Sequence, residues 1–179
     1  MTNHLLLVGM MGAGKSTVGR RVAARLGRPC VDTDAEVEAD VGLSVAAIFA
    51  GPGEEEFRRL ERAVVLRAIG TEEPIVVSVG GGAVLDPANR AALRRAGTVV
   101  WLRARPETLA RRVGQGADRP LLSGSAGGPA VGLARIDAAR RGIYEELADA
   151  VVDVDDLDPD AVAERVLVAL RAEPSGDRR

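Results

Sequence analysis

Gly9-Met10-Met11-Gly12-Ala13-Gly14-Lys15-Ser16 follows the apolar run Leu5-Leu6-Leu7-Val8 and precedes a segment in which Val18, Val22 and Leu26 recur every four residues. The run reads as a buried strand. Lys15 to Leu26 reads as a helix that Gly27 ends before Pro29. The eight residues between match G-x-x-x-x-G-K-[S/T] in full, in the strand–loop–helix setting that gives the pattern its meaning. Glycines at these spacings let the backbone curl until several N–H groups point inward, and the helix start adds positive dipole. Gly12, Ala13, Gly14, Lys15, Ser16 and Thr17 would cradle the phosphates of a nucleoside triphosphate, with Lys15 on the β- and γ-phosphates and the Ser16 hydroxyl on Mg²⁺. Of 24 Lys and Arg residues, the single lysine falls here, where a compact ammonium suits better than a planar guanidinium.

Outward from this loop, short apolar runs alternate with helical patterns. Pro29 to Asp32, Ile75 to Val79, Val99 to Leu102 and Val151 to Val154 read as further strands. Helices are predicted over Asp34 to Val41, Val45 to Ala50 (Ser44 as cap), Glu54 to Ile69, and from Pro87 behind the cap Asp86 to a stop at Gly97. Others are predicted over Pro106 to Val113, Leu133 to Ala148, and Asp158-Pro159 to Leu170. The reading is an α/β fold in three layers: a five-stranded parallel sheet flanked by helices on both faces. A single domain is expected over 1–172, with 173–179 a disordered tail. Gly114 to Gly132 holds six glycines and two prolines and reads as a mobile lid.

The 179 residues are 46% hydrophobic, 28% charged and 2% aromatic, so the core is built from aliphatic side chains. A net charge of −2 argues against a broad nucleic-acid surface or an anionic-membrane surface. One cysteine, Cys30, excludes an internal disulfide and a multi-cysteine metal site. One histidine, His4, leaves little room for a His-assisted nucleophile. The opening Met1-Thr2-Asn3-His4 has no positive charge before a short apolar run, so a cytoplasmic protein is expected.

Ligands of parallel sheets gather at the carboxyl ends of strands. Those ends hold Gly9 onward, Asp32-Thr33-Asp34, Gly80-Gly81-Gly82 and Arg103. No Asn-Lys-x-Asp base reader is present, since the asparagines are Asn3 and Asn89, which excludes a GTPase switch. Asp32 and Asp34 fit a division in which Asp32 supports Mg²⁺ and Asp34 takes the proton of an attacking hydroxyl. The competing reading is a helix cap at the start of the next segment.

With Ile48-Phe49, Gly53-Glu54, Glu56-Phe57-Arg58, Glu61, Gly80-Gly81-Gly82-Ala83, Arg119-Pro120-Leu121-Leu122, and Arg140 four residues before Tyr144, the chain resembles the shikimate kinases from about residue 3 to 170. The resemblance implies transfer of the γ-phosphoryl of ATP to the 3-hydroxyl of shikimate, giving shikimate 3-phosphate and ADP, within chorismate and aromatic amino-acid biosynthesis. It implies Asp34, Lys15 and Arg119 as catalytic groups, Arg119 also on ATP. It assigns the substrate to Asp34, Arg58, Gly80, Gly81, Gly82 and Arg140, the two arginines gripping its carboxylate. Read without it, Arg58 is a solvated helix residue paired with Glu54. Phe49 and Phe57 read as pocket wall or plain core, and Trp101 as core. Where the family often has a basic adenine contact, this chain has Asp155-Asp156-Leu157-Asp158, which leaves the base to backbone or apolar contacts. Rival readings are a P-loop kinase of gluconate or of a nucleoside monophosphate, and a nucleotide-gated binding module without catalysis. A monomer acting on small molecules is expected, with neither nucleic acid nor membrane as partner.

Overall fold

The computed structural model describes residues 3–114 and 128–172. Its five strands are β1 (His4–Val8), β2 (Cys30–Asp32), β3 (Val76–Ser78), β4 (Gly97–Arg103) and β5 (Ala150–Asp153). They form one parallel sheet in the order β2-β3-β1-β4-β5. Its helices are α1 (Lys15–Leu26), α2 (Thr33–Val41), α3 (Val45–Ala50), α4 (Glu54–Ile69), α5 (Pro87–Ala96), α6 (Pro106–Val113), α7 (Gly128–Leu147) and α8 (Pro159–Ala172), with a 3₁₀ turn at Ala83–Leu85.

Strand order and crossover handedness set the layers. From β1 the chain moves one way through α1 to β2, and from β3 it moves the other way through α5 to β4. Right-handed crossovers therefore put α1 and α5 on opposite faces. α8 packs against α1 and completes that layer. Register then does the positioning. Leu7 lies level with Ser78, Asp32 with Ser78, and Val8 with Trp101, so the loops leaving β1, β2 and β3 emerge side by side.

β1, β3 and β4 are buried on both faces, which explains their unbroken apolar runs. Leu6, fully buried at the centre of β1, is the sharpest test. Leu6→Ala is expected to cost about 3–5 kcal/mol, read as a lower urea midpoint at unchanged slope. His4 is also fully buried: its Nε2 bonds the Ile69 carbonyl at 3.1 Å and its Nδ1 accepts from the Ile75 N–H at 3.2 Å. It staples β1 to the end of α4 and the start of β3, a structural task. A smaller apolar cluster of Val37, Ile48, Phe57 and Val64 lies among α2, α3 and α4, with Phe49 packed on it. On the outside of this unit Arg67 pairs with Glu36 and Asp40, joining α4 to α2.

Two sequence expectations change. The helix read from Leu133 begins at Gly128, so 128–132, placed in the lid, are the first turns of α7. Glycine content discounts a helix locally, but Leu133 and the apolar positions after it pull the whole segment onto the core. Gly97, read as a helix stop, is also the first residue of β4. It pairs with His4 at a separation where a Cβ would overlap the His4 backbone, and that contact explains its glycine. The lid stretch 115–127 and the tail 173–179 lie outside the described residues.

Candidate active site

The loop between β1 and α1 is held in conformations that favour glycine: Gly12 has φ +82° and Gly14 φ +94°. Gly9 (φ +141°) is pressed so close to β4 that a Cβ would lie 2.5 Å from the Leu102 carbonyl oxygen. α1 has no side-chain cap, so the N–H groups of its first turn face the space above the loop. Lys15 Nζ donates to the carbonyls of Gly9 at 2.8 Å and Met10 at 3.1 Å. This folds the ammonium back over the loop it serves. Ser16 Oγ lies 3.5 Å from Ser78 Oγ at the end of β3. Above them opens a cleft of about 440 Å³ whose floor is Gly12 to Thr17 and whose side wall carries Asp32, Asp34, Gly80 and Gly81.

The two aspartates have separate jobs. Asp32 caps α2: its Oδ1 accepts from the N–H groups of Asp34 at 3.1 Å and Ala35 at 3.3 Å. The cap reading is thus right in kind but belongs to Asp32, while Asp34 sits in the first turn with its carboxylate toward the glycine run. Both acids line the cleft, so capping does not remove Asp32 from it.

Three consecutive glycines bring the other groups together. A Cβ on Gly80 would lie 2.6 Å from Asp34 Oδ1 and 2.5 Å from Glu61 Oε1. The Gly81 carbonyl accepts from Arg140 Nη1 at 3.0 Å and from the Tyr144 hydroxyl at 2.7 Å. A Cβ on Gly82 would overlap the Arg58 guanidinium. Asp34, Arg140 and Arg58 therefore meet along one tripeptide, whose first and last residues have no room for a side chain. The i,i+4 pairing of Arg58 with Glu54 also exists, at 3.0 Å, on the same guanidinium that reaches Gly82. Of the two adjacent arginines on α7, Arg140 is buried against Gly81, while Arg141 pairs with Asp137 at 2.6 Å.

Glu61 carries no role in the sequence reading, yet it is the buried carboxylate of the site, 1% exposed. Burial pushes its carboxyl up from the ordinary glutamate range, and the Arg58 guanidinium, bonded at 2.7 Å, pulls it back. Burial likewise opposes the charge on Arg58, and Glu61 and Glu54 more than offset it. Breaking this pair would leave an uncompensated charge inside the protein. Burial pushes the Tyr144 hydroxyl up to about 12, so it stays a hydrogen-bond donor at neutral pH. The i+4 spacing of Arg140 and Tyr144, already a motif in the sequence, was the available signal for that residue.

The far end of the cleft is made by Arg112 of α6 and by Leu157, Pro159 and Val162 around the start of α8. Arg112 was missed because nothing in an arginine-rich helix marks one arginine; its Nη2 donates to the Val154 carbonyl at 2.9 Å. The acidic run beside it serves the loop itself. Asp155 accepts from the Arg105 N–H at 3.1 Å, Asp156 pairs with Arg105 at 3.1 Å, and Asp158 caps α8. Leu157 is left facing the cleft. Phe57 is core, Phe49 packs on it with ring centroids 4.9 Å apart, and Arg58 lies over the Phe57 ring at 5.3 Å. Trp101 is buried and stacks on Tyr144 at 5.6 Å, away from the cleft lining. Arg119 lies outside the described residues.

The family model described as shikimate kinase matches residues 11–171. Among curated proteins, the shikimate kinase of Symbiobacterium thermophilum is 55% identical over 147 residues, covering 81% of this chain and 83% of that one. That of Moorella thermoacetica is 43% identical and covers 96% of each chain. Among solved structures, the Acinetobacter baumannii shikimate kinase in complex with shikimate superposes with a TM-score of 0.91 at 32% identity, covering 98% of this chain and 97% of that one. A gluconokinase from Sinorhizobium meliloti reaches a TM-score of 0.57 at 22% identity, covering 94% of this chain and 91% of that one, which is a likeness of fold alone.

Proposed function

Because the chain belongs to the shikimate kinase family, we propose that this cleft seats ATP along the phosphate loop and shikimate along Gly80 to Gly82, with Asp34 between them. Shikimate is a small anionic triol, and the tripeptide offers what such a molecule needs: an acid for one hydroxyl and two guanidinium groups for its carboxylate. The meeting of Asp34, Arg140 and Arg58 on three consecutive glycines is the observation that carries this reading. Gluconate also has a carboxylate, but the gluconokinase likeness stops at the fold.

Within this reading Asp34 orients the 3-hydroxyl and accepts its proton as the new O–P bond forms and the bond to ADP breaks. Lys15 and the N–H groups of Gly12, Ala13, Gly14, Ser16 and Thr17 hold the phosphates. Arg119, in Arg119-Pro120-Leu121-Leu122, is assigned charge on the transferring phosphoryl group on its sequence context alone. The adenine fits between Arg112, whose cation suits a π-face, and the apolar Leu157, Pro159 and Val162.

Mg²⁺ fits the donor set. A kinase Mg²⁺ takes most ligands from phosphates and water, so it needs few protein oxygens. Ser16 Oγ and the Asp32 carboxylate line the same cleft, and no group of three or more His, Cys, Asp or Glu side chains among the described residues competes for the ion. Ser16 would hold it directly and Asp32 through water. Bound there, it would neutralise β- and γ-phosphate oxygens.

No helix among the described residues is long and apolar enough to cross a membrane. The requirement for ATP supports the cytoplasm as its place of work.

The test is Arg140→Lys, because Arg58→Ala would also strand Glu61. A lysine keeps the charge but loses the fork. The shikimate KM is expected to rise about tenfold or more, with the ATP KM unchanged, in a coupled assay of ADP release. ADP release that ignores shikimate in the unaltered protein would instead favour a nucleotide-gated binding module.

A further inference from the structure

Two hydroxyl groups hold the first two residues of the glycine tripeptide, and neither is a group that the proposed chemistry uses. Thr33 Oγ1, fully buried, accepts from the Gly80 N–H at 2.8 Å. The Tyr144 hydroxyl, also fully buried, donates to the Gly81 carbonyl at 2.7 Å beside Arg140. Each sits on the element that carries a functional side chain. Thr33 precedes Asp34 at the start of α2, and Tyr144 lies one helical turn beyond Arg140 on the same face of α7.

We infer that Thr33 and Tyr144 are positioning residues which fix, by pinning the N–H of Gly80 and the carbonyl of Gly81, the separation between Asp34 and the Arg140 guanidinium. The inference rests on the reading of Asp34 and Arg140 given above. Its physical basis is that both hydrogen bonds are buried, and a buried backbone group left without its partner is not rescued by water. The two bonded groups lie on the peptide units that flank the Gly80–Gly81 dipeptide, so together they pin both ends of a segment whose two glycines would otherwise be the freest to rotate. Two further contacts support the Tyr144 arm. Its ring is fixed by stacking on Trp101 at 5.6 Å and 22°. Its oxygen also interacts with the Arg140 side chain, so removing that oxygen loosens the guanidinium directly as well as through Gly81.

The two arms have different kinetic signatures. Loss of the Thr33 hydroxyl slackens α2 at the Asp34 end, so Thr33→Val, which keeps the branched shape, is expected to lower kcat about tenfold. Its shikimate KM should change less than about threefold. Thr33→Ser restores the oxygen and is expected to restore kcat. Loss of the Tyr144 hydroxyl slackens the carboxylate grip, so Tyr144→Phe is expected to raise the shikimate KM about five- to tenfold with kcat within about threefold. In both, the ATP KM stays at the unaltered value, a result that general loosening of the fold would not give.

The measurement is steady-state kinetics on the full chain for these three variants beside Arg140→Lys and Asp34→Asn, with thermal melts as a folding check. If a variant fails to melt cooperatively, the other arm decides alone. A Tyr144→Phe protein with an unchanged shikimate KM, or with both KM values raised alike, overturns the inference. So does a Thr33→Val protein with normal kcat, or a Thr33→Ser protein no better than Thr33→Val. If Arg140→Lys and Asp34→Asn are impaired while Thr33→Val and Tyr144→Phe are not, the tether fails and the substrate assignment stands. If Arg140→Lys itself leaves the shikimate KM unchanged, the assignment has failed.

Discussion

Asp34→Asn binds ATP with unchanged affinity and turns over at least about 10²-fold more slowly, within the 10²–10⁴ range of a positioned general base. The substitution replaces one oxygen by an amide nitrogen of nearly the same size, so the local packing persists. It does not uncap α2, because the capping carboxylate is Asp32, not Asp34. What disappears is a group able to receive the proton of the attacking hydroxyl. A second effect has the opposite sign. The Asp34 charge contributes to raising the Glu61 carboxyl, on top of burial. Neutralising Asp34 therefore favours ionised Glu61 and its pair with Arg58, and a cooperative thermal melt shows that the fold is retained. Calorimetric titration with an ATP analogue, single-turnover kinetics and a thermal melt check the three parts. Near-normal turnover would remove Asp34 from the chemistry.

Lys15→Ala is expected to cost about 10³-fold in kcat/KM, the scale on which preorganised charges at a transferring phosphoryl group act. The reason is local. The ammonium is held by the carbonyls of Gly9 and Met10 at 2.8 and 3.1 Å, so its charge is fixed over the loop before nucleotide arrives. Lys15→Arg, although it keeps the charge, should stay at least about 10²-fold impaired, because a planar five-donor fork does not fit two carbonyls and a curled backbone. Initial rates at saturating shikimate and varied ATP separate the two variants. Full rescue by arginine would mean that net charge alone, and not the shape of the cradle, is what the site requires.

Much of the architecture is legible in the sequence because the local signals agree with one another. The helices Val45–Ala50, Glu54–Ile69 and Pro106–Val113 have the predicted limits. So has the one that starts at Pro87 and runs to Ala96, just before Gly97. In all but Glu54–Ile69, whose start is marked by three glutamates in its first turn, a cap or a proline at the start agrees with a glycine at or beyond the end. The parallel sheet follows from strands that are apolar on both sides. The start of α7 is not legible, since its stabilisation comes from core contacts made further along the helix. The site divides in the same way. The phosphate loop is a contiguous pattern and can be read directly. Glu61 and Arg112 are single charged residues on charged helices, and only the third dimension shows one buried beneath Arg58 and the other at the end of the cleft. Arg58 shows why a local reading is incomplete rather than wrong: the helix pair with Glu54 is real, and the same side chain also reaches Gly82.

The lone lysine has a practical corollary. Apart from the chain's own amino terminus, the protein owns one primary amine, and that amine stands on the floor of the nucleotide cleft. Acylating reagents thus meet a built-in reporter: intact mass counts a single side-chain adduct, and its suppression by a bound triphosphate titrates occupancy without any engineered label.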